Sequence, residues 1–270
     1  MTRLPEIANP TRQPYPSDLS DAEWDILKPL LPKPKGFGHP VEVDFREILN
    51  GIFYVQRTGC QWEMMPHDLP PYSTVYSYFQ KWQRKGVWQQ MHDQIRQQLR
   101  TQFGRDEQST VAIADSQSVK STEKRGVYGF DGGKKVKGRK RHIVVDAQGL
   151  LIGVLVTAAN ASERLGAVVV LDEAKEKLSK LQVIWVDQGY SGKNFANAVQ
   201  QVCGEQVRVE VIERTSKTFE QLPKRWIVER TFGWLNRFRR LSKDYELYSE
   251  VSEAMIYGSL LRLMVKRLAA

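Results

Sequence analysis

Three carboxylates stand where metal-assisted phosphoryl chemistry would want them. Asp115 closes the apolar run Val111-Ala-Ile-Ala, and Asp187 closes Val183-Ile-Trp-Val. Glu229 lies inside a basic, aromatic helical stretch, Arg225-Trp-Ile-Val-Glu-Arg-Thr-Phe-Gly-Trp-Leu. Two strand-end aspartates and a helical glutamate can converge on a pair of divalent cations, and such pairs cut or join phosphodiesters. Magnesium suits the set, because it takes oxygen ligands and binds through few carboxylates plus substrate phosphate; manganese can substitute. An aspartate after a strand is more often a turn residue, which is the reading for Asp146. Asp115 and Asp187 differ from it in sharing one placement, each after an apolar strand.

The elements that must position them follow from pattern and punctuation. The 270 residues suffice for one large domain or two smaller ones. Four prolines before residue 17 mark a flexible lead-in over 1–17. Ser20 and Glu23 form a capping box that starts a first helix. Helices are expected over 43–57, from Ser73 to about Lys85, and over 87–102. Together they make a helical, helix-turn-helix-like DNA-binding domain over 18–104. On its third helix Val75, Phe79 and Trp82 form the inward stripe. Ser77, Gln80, Lys81 and Arg84 face outward, a composition that suits the major groove and equally an ordinary solvated face.

After Gly104 the pattern turns to strands. Runs at 110–116, 142–146 and 150–157 precede a helix at 162–179 capped by Asn160 or Ser162. Strand 182–187, helix 192–202, strand 206–212 and a long helix from about 223 follow. The order βββαβαβα over 105–270, with a last helix near 250–268, resembles the ribonuclease-H-like fold. On the helix from 223, Ile227, Trp234, Phe238 and Leu241 fall in one buried arc. Arg225, Glu229, Asn236 and Arg240 line the opposite strip at helical spacing. Gly233 beside that strip costs roughly 1 kcal/mol relative to alanine, which points to close approach of another backbone, such as DNA.

Charge supports a polyanionic partner. The formal net charge is +9, and lysines and arginines on phosphates gain by counterion release. A glycine-rich basic loop between the first two strands carries Lys120, Lys124, Arg125, Lys134, Lys135, Lys137, Arg139, Lys140 and Arg141. It is placed at the mouth of the site, to hold phosphates without reading bases. His142 is expected at a strand edge. Cys60 and Cys203 lie in no CxxC pattern, so neither a disulfide framework nor a zinc site is expected. No run approaches a membrane span, and no signal peptide is legible, so a cytoplasmic, nucleoid-associated protein is expected.

Several segments are similar, in order, to one family. Asp115-Ser-Gln-Ser-Val-Lys, Val186-Asp-Gln-Gly-Tyr-Ser-Gly and the Arg225–Leu235 stretch resemble the three motifs of bacterial insertion-sequence DDE transposases, nearest the "IS five" group and its relatives. Leu19-Ser-Asp-Ala-Glu-Trp and Thr58-Gly-Cys-Gln-Trp resemble that family's helical domain. The resemblance implies a catalytic, metal-binding triad of Asp115, Asp187 and Glu229, with two magnesium ions as cofactor. It implies that Arg225 contacts DNA. The family's usual tyrosine and lysine are replaced by Leu222 and Asn236, so Arg237 or Arg240 would take over the lysine's contact. The implied substrates are the element's own inverted repeats and a target duplex, with a homodimer in the synaptic complex. A repurposed, non-catalytic DNA-binding regulator and a ribonuclease-H-like nuclease are the rival readings.

Overall fold

The computed structural model describes residues 4–32, 43–122, 126–212 and 223–270, with side chains from 226 onward in the last stretch. The helical part holds α1 (Asp21–Leu27), α2 (Phe45–Thr58), α3 (Tyr72–Arg84) and α4 (Val87–Gln102). The Ser20–Glu23 capping box closes in both directions, as the sequence requires. Asp44 caps α2 by accepting from the Arg46 and Glu47 amides, and left-handed Gly59 ends it. α3 begins two residues earlier than a Ser73 cap would set it, with Pro71 as its N-cap. The segment read as a flexible lead-in runs, from Leu4, alongside these helices. There Arg12 reaches both Asp18 and Glu47 at 2.9 Å.

A mixed sheet follows, built from β1 (Val111–Lys120), β2 (Gly129–Asp131), β3 (Val136–Asp146), β4 (Leu151–Ala158), β5 (Val183–Val186) and β6 (Arg208–Val211). β3 pairs antiparallel with β4 on one side and β1 on the other, while β1–β5 and β5–β6 pair parallel. The short β2 adds to the start of β3 and was absent from the expected pattern. α5 (Glu163–Glu173) and α6 (Lys193–Cys203) connect the later strands, and α7 (Pro223–Leu235) and α8 (Ser249–Leu268) complete the chain.

Two apolar cores lie on the two faces of this sheet. Ala112, Ala114, Ile152 and Ile184 face α5 and α6. Ile113, Ile143, Val145 and Val154 face the other way, into a core shared with the helical part, α7 and α8. α8 is the bridge: it packs on β4 and on α1, α2 and α4. Among the described residues no helix is long and apolar enough to cross a membrane.

Candidate functional site

Strand register brings the first two carboxylates together. Ile113 is the parallel partner of Trp185. Two residues further along each strand, with side chains returning to the same face, stand Asp115 and Asp187. Both are half-buried. α7 packs across β1 on this face, and its Val228 lines a small crevice with Asp115, Asp187 and Ile212. Glu229, the next residue, is exposed on that helix. Asp115 accepts the Ser116 amide at 2.7 Å, and Asp187 accepts the Gly189 amide at 2.9 Å. Each bond fixes one oxygen of its carboxylate.

A fourth carboxylate belongs to the same neighbourhood and escaped the sequence reading. Glu163 opens α5 behind its Ser162 cap and pairs with Lys134 at 3.1 Å and Lys140 at 3.4 Å. Lys134 also donates to the Ser116 carbonyl, beside Asp115. The approach depends on Gly166, where a Cβ would collide with the His142 ring. Burial alone would raise the Glu163 carboxyl, but Lys134 outweighs it and holds it below its ordinary range. The Tyr190 hydroxyl is fully buried beside Ser116. Burial, then the charges of Asp115 and Glu163, push its ionisation upward. The 157–163 segment, read as a helix cap, gave no sign of this role: a glutamate in a first helical turn is ordinary dipole chemistry.

The basic loop is corrected. From Val136 it is a strand, and its charges alternate between faces. Arg139 and Arg141 are fully buried on the face of β3 that carries Ile143, the partner of Asp115, and are covered there by the 241–247 segment. Arg139 pairs with Asp244 at 3.0 Å, and its other donors reach the Val127 and Leu247 carbonyls. Arg141 donates to the Leu241 and Lys243 carbonyls. Neither can reach DNA. Lys140, on the other face, is buried too, but against Asp131 and Glu163. Lys120, Lys135 and Lys137 are exposed, and Lys134 is about half so. His142 sits on a central strand, not an edge, fully buried and bonded to Thr157. Burial, reinforced by Lys140, lowers its pKa to about 4.

Further corrections fall on α7, which ends at Leu235, short of the extent expected. Asn236 and Arg240 therefore do not continue its strip. Arg240 is buried, pairing with Glu246 at 2.8 Å and donating to the Cys60 carbonyl, so it is not a DNA contact. Arg237 is exposed. The side chain of Arg225, and Lys124 and Arg125, lie outside the described residues. On α3, Ser77, Lys81 and Arg84 are exposed and Gln80 half-buried, bonded to Tyr76 and Arg84. Asp146 is the turn residue expected, accepting the Gln148 and Leu150 amides.

β1 runs on past the strand end expected near 116, so Asp115 stands in its middle, and Asp187 lies just past β5. A helical region joined to a mixed sheet, with these two aspartates beneath a glutamate-bearing helix, matches known proteins along most of the chain. The model described as "Transposase DDE domain" covers residues 106–264. That described as "Putative transposase of IS4/5 family" covers 19–92. The chain belongs to the DDE transposase family of insertion sequences. Among curated relatives, the "Putative transposase for insertion sequence element IS402" of Burkholderia cepacia is 31% identical over 134 residues, 47% of this chain. This chain spans 60% of that relative's length. The "Insertion element IS402 uncharacterized 16.2 kDa protein" of the same organism is 31% identical over 109 residues, 38% of this chain and 73% of that protein.

Proposed function

We propose that the chain is a DNA transposase of ribonuclease-H-like fold. In this reading it binds the inverted repeats of its own element through residues 18–104, cuts at the element ends and joins the freed 3′-hydroxyl to target DNA. The observation that carries the reading is the Ile113–Trp185 register, which sets Asp115 and Asp187 side by side beneath the helix bearing Glu229. The sheet order, with three antiparallel strands followed by two parallel ones, supports the fold assignment.

The donors fit a hard divalent cation, because they are carboxylate oxygens only. Among the described residues no three histidine, cysteine, aspartate or glutamate side chains are gathered closely enough to hold a metal. Asp115 and Asp187 would therefore form the standing half of the site, and Glu229 would close on it with substrate. Bound magnesium or manganese would neutralise the phosphodiester and stabilise the entering and leaving oxygens. The chain's own part is to hold one carboxylate within β1 and one just past β5, and to bring the third on a helix. Lys134 supplies a cation at the rim, among the hairpin lysines Lys120, Lys135 and Lys137, which would hold phosphates. Ser77, Gln80, Lys81 and Arg84 remain the proposed groove-facing set on α3. Synapsis of two ends calls for a homodimer.

The test is cleavage of labelled linear DNA bearing both element ends, with magnesium, manganese or chelator. Wild type should nick at the end boundaries only with metal. Asp187→Ala should lose cutting by at least a hundredfold while still binding the DNA. Cutting that ignores the ends would instead identify a general nuclease, and binding without any cutting a regulator.

A further inference from the structure

Most buried and half-buried arginines of this chain are already matched. Arg100 sits on Asp146, Arg139 on Asp244, Arg240 on Glu246 and Arg262 on Glu23. Arg57, Arg230, Arg237, Lys266 and Arg267 are different, since none forms an ion pair with a carboxylate among the described residues. They come from three separate elements and meet on one face. Arg57, at the end of α2, donates to the Arg237 carbonyl at 2.9 Å and ties that helix to the turn after α7. Arg230 and Arg267 stand 5.0 and 4.1 Å from the centroid of the same Trp234 ring, so two guanidinia are held in place by one aromatic. Beside Arg57, Arg237 and Lys266 opens a cavity of about 240 Å³ with Phe53, Phe238 and Leu263 on its walls.

Gathering like charges without counter-charges costs folding free energy and leaves a field that attracts an anion. The strain is visible at Arg267, whose guanidinium is held below its ordinary value by burial first, then by Arg230 and Arg237. We propose that this face, from the end of α2 across the turn after α7 to the last turn of α8, docks the phosphate backbone of duplex DNA. Arg230, stacked on Trp234, extends the face onto α7. The proposal rests on the reading that DNA is the substrate, and it gives α2 and α8 a role in binding that the sequence motifs did not suggest. Such contacts position a duplex without reading its bases.

The test compares wild type, the triple variant Arg57→Gln/Arg237→Gln/Lys266→Gln, and a control with Lys175, Lys180 and Arg208 changed to Gln. All six side chains are exposed. The bonds lost, Arg57 to the Arg237 carbonyl in the triple variant and surface ion pairs in the control, are each weak. Both variants should therefore remain folded at the assay temperature, which their melting curves check. Binding to a fluorescent duplex is measured in chelator over a salt series. The slope of log K against log salt should shrink by roughly 0.9 for each phosphate that the protein no longer neutralises, hence by about two to three in the triple variant and not in the control. An unchanged slope in the triple variant overturns the face, and so does an equal drop in the control. Wild type that binds no duplex overturns the DNA reading itself, a result distinct from either of those.

Discussion

Gly233 stands on α7 one turn beyond Glu229 with open space where its Cβ would be. Among the described residues nothing requires glycine there. Gly233→Ala should therefore raise stability by up to about 1 kcal/mol in urea unfolding. If the helix meets DNA backbone at that point, the same change should lower end cleavage, and a variant both more stable and fully active would remove the glycine from the site. Asp115 and Asp187 were legible because an apolar strand ending in aspartate is a local pattern. Glu163 was not: its partners Lys134 and Lys140 lie on β3 and the turn before it, and only the Gly166–His142 contact brings them together. Arg240 failed for a related reason, since the helix carrying its expected strip stops five residues earlier.

At the scale of elements, period and caps were informative and charge was not. The Ser20–Glu23 box and the stripe of Val75, Phe79 and Trp82 describe α1 and α3 almost as they stand. The Gly132–His142 run reads as a solvated loop because charged residues are almost never fully buried unless paired. The pair that buries Arg139 is Asp244, 105 residues away, and no local signal announces it. Arg139→Ala would leave Asp244 buried beside Ser252, with its main counter-charge gone. Loss of one member of such a pair costs about 3–5 kcal/mol, so chemical denaturation should show a drop of that order. A loss below about 1 kcal/mol would mean that the hairpin is not held by this pair.

The whole molecule is knit by α8, and one of its side chains should be visible in bulk stability. Glu253 accepts the Val156 amide from β4, and burial, with Glu173 and Glu250 nearby, raises its carboxyl to about 7. The folded state thus keeps a proton that the unfolded chain releases near 4.5. Stability from this group is fully present below about 4.5, declines as pH rises toward 7, and is level above that. The difference is on the order of 3 kcal/mol. Glu253→Gln should flatten the wild-type slope in thermal melts across that window; parallel profiles would mean that the carboxyl is solvated.

Domains ordinarily begin to fold amino-terminal part first, while the rest of the chain is still being made. Here α8, the last helix described, supplies Met255, Leu261 and Val265 to the core that also holds Leu27, Ile52 and Trp88. The helical half cannot seal that core until α8 has been made and released from the ribosome. A fragment that stops short of α8 should therefore lack a sealed helical core, so the amino-terminal helices depend for their packing on a helix made much later in the chain.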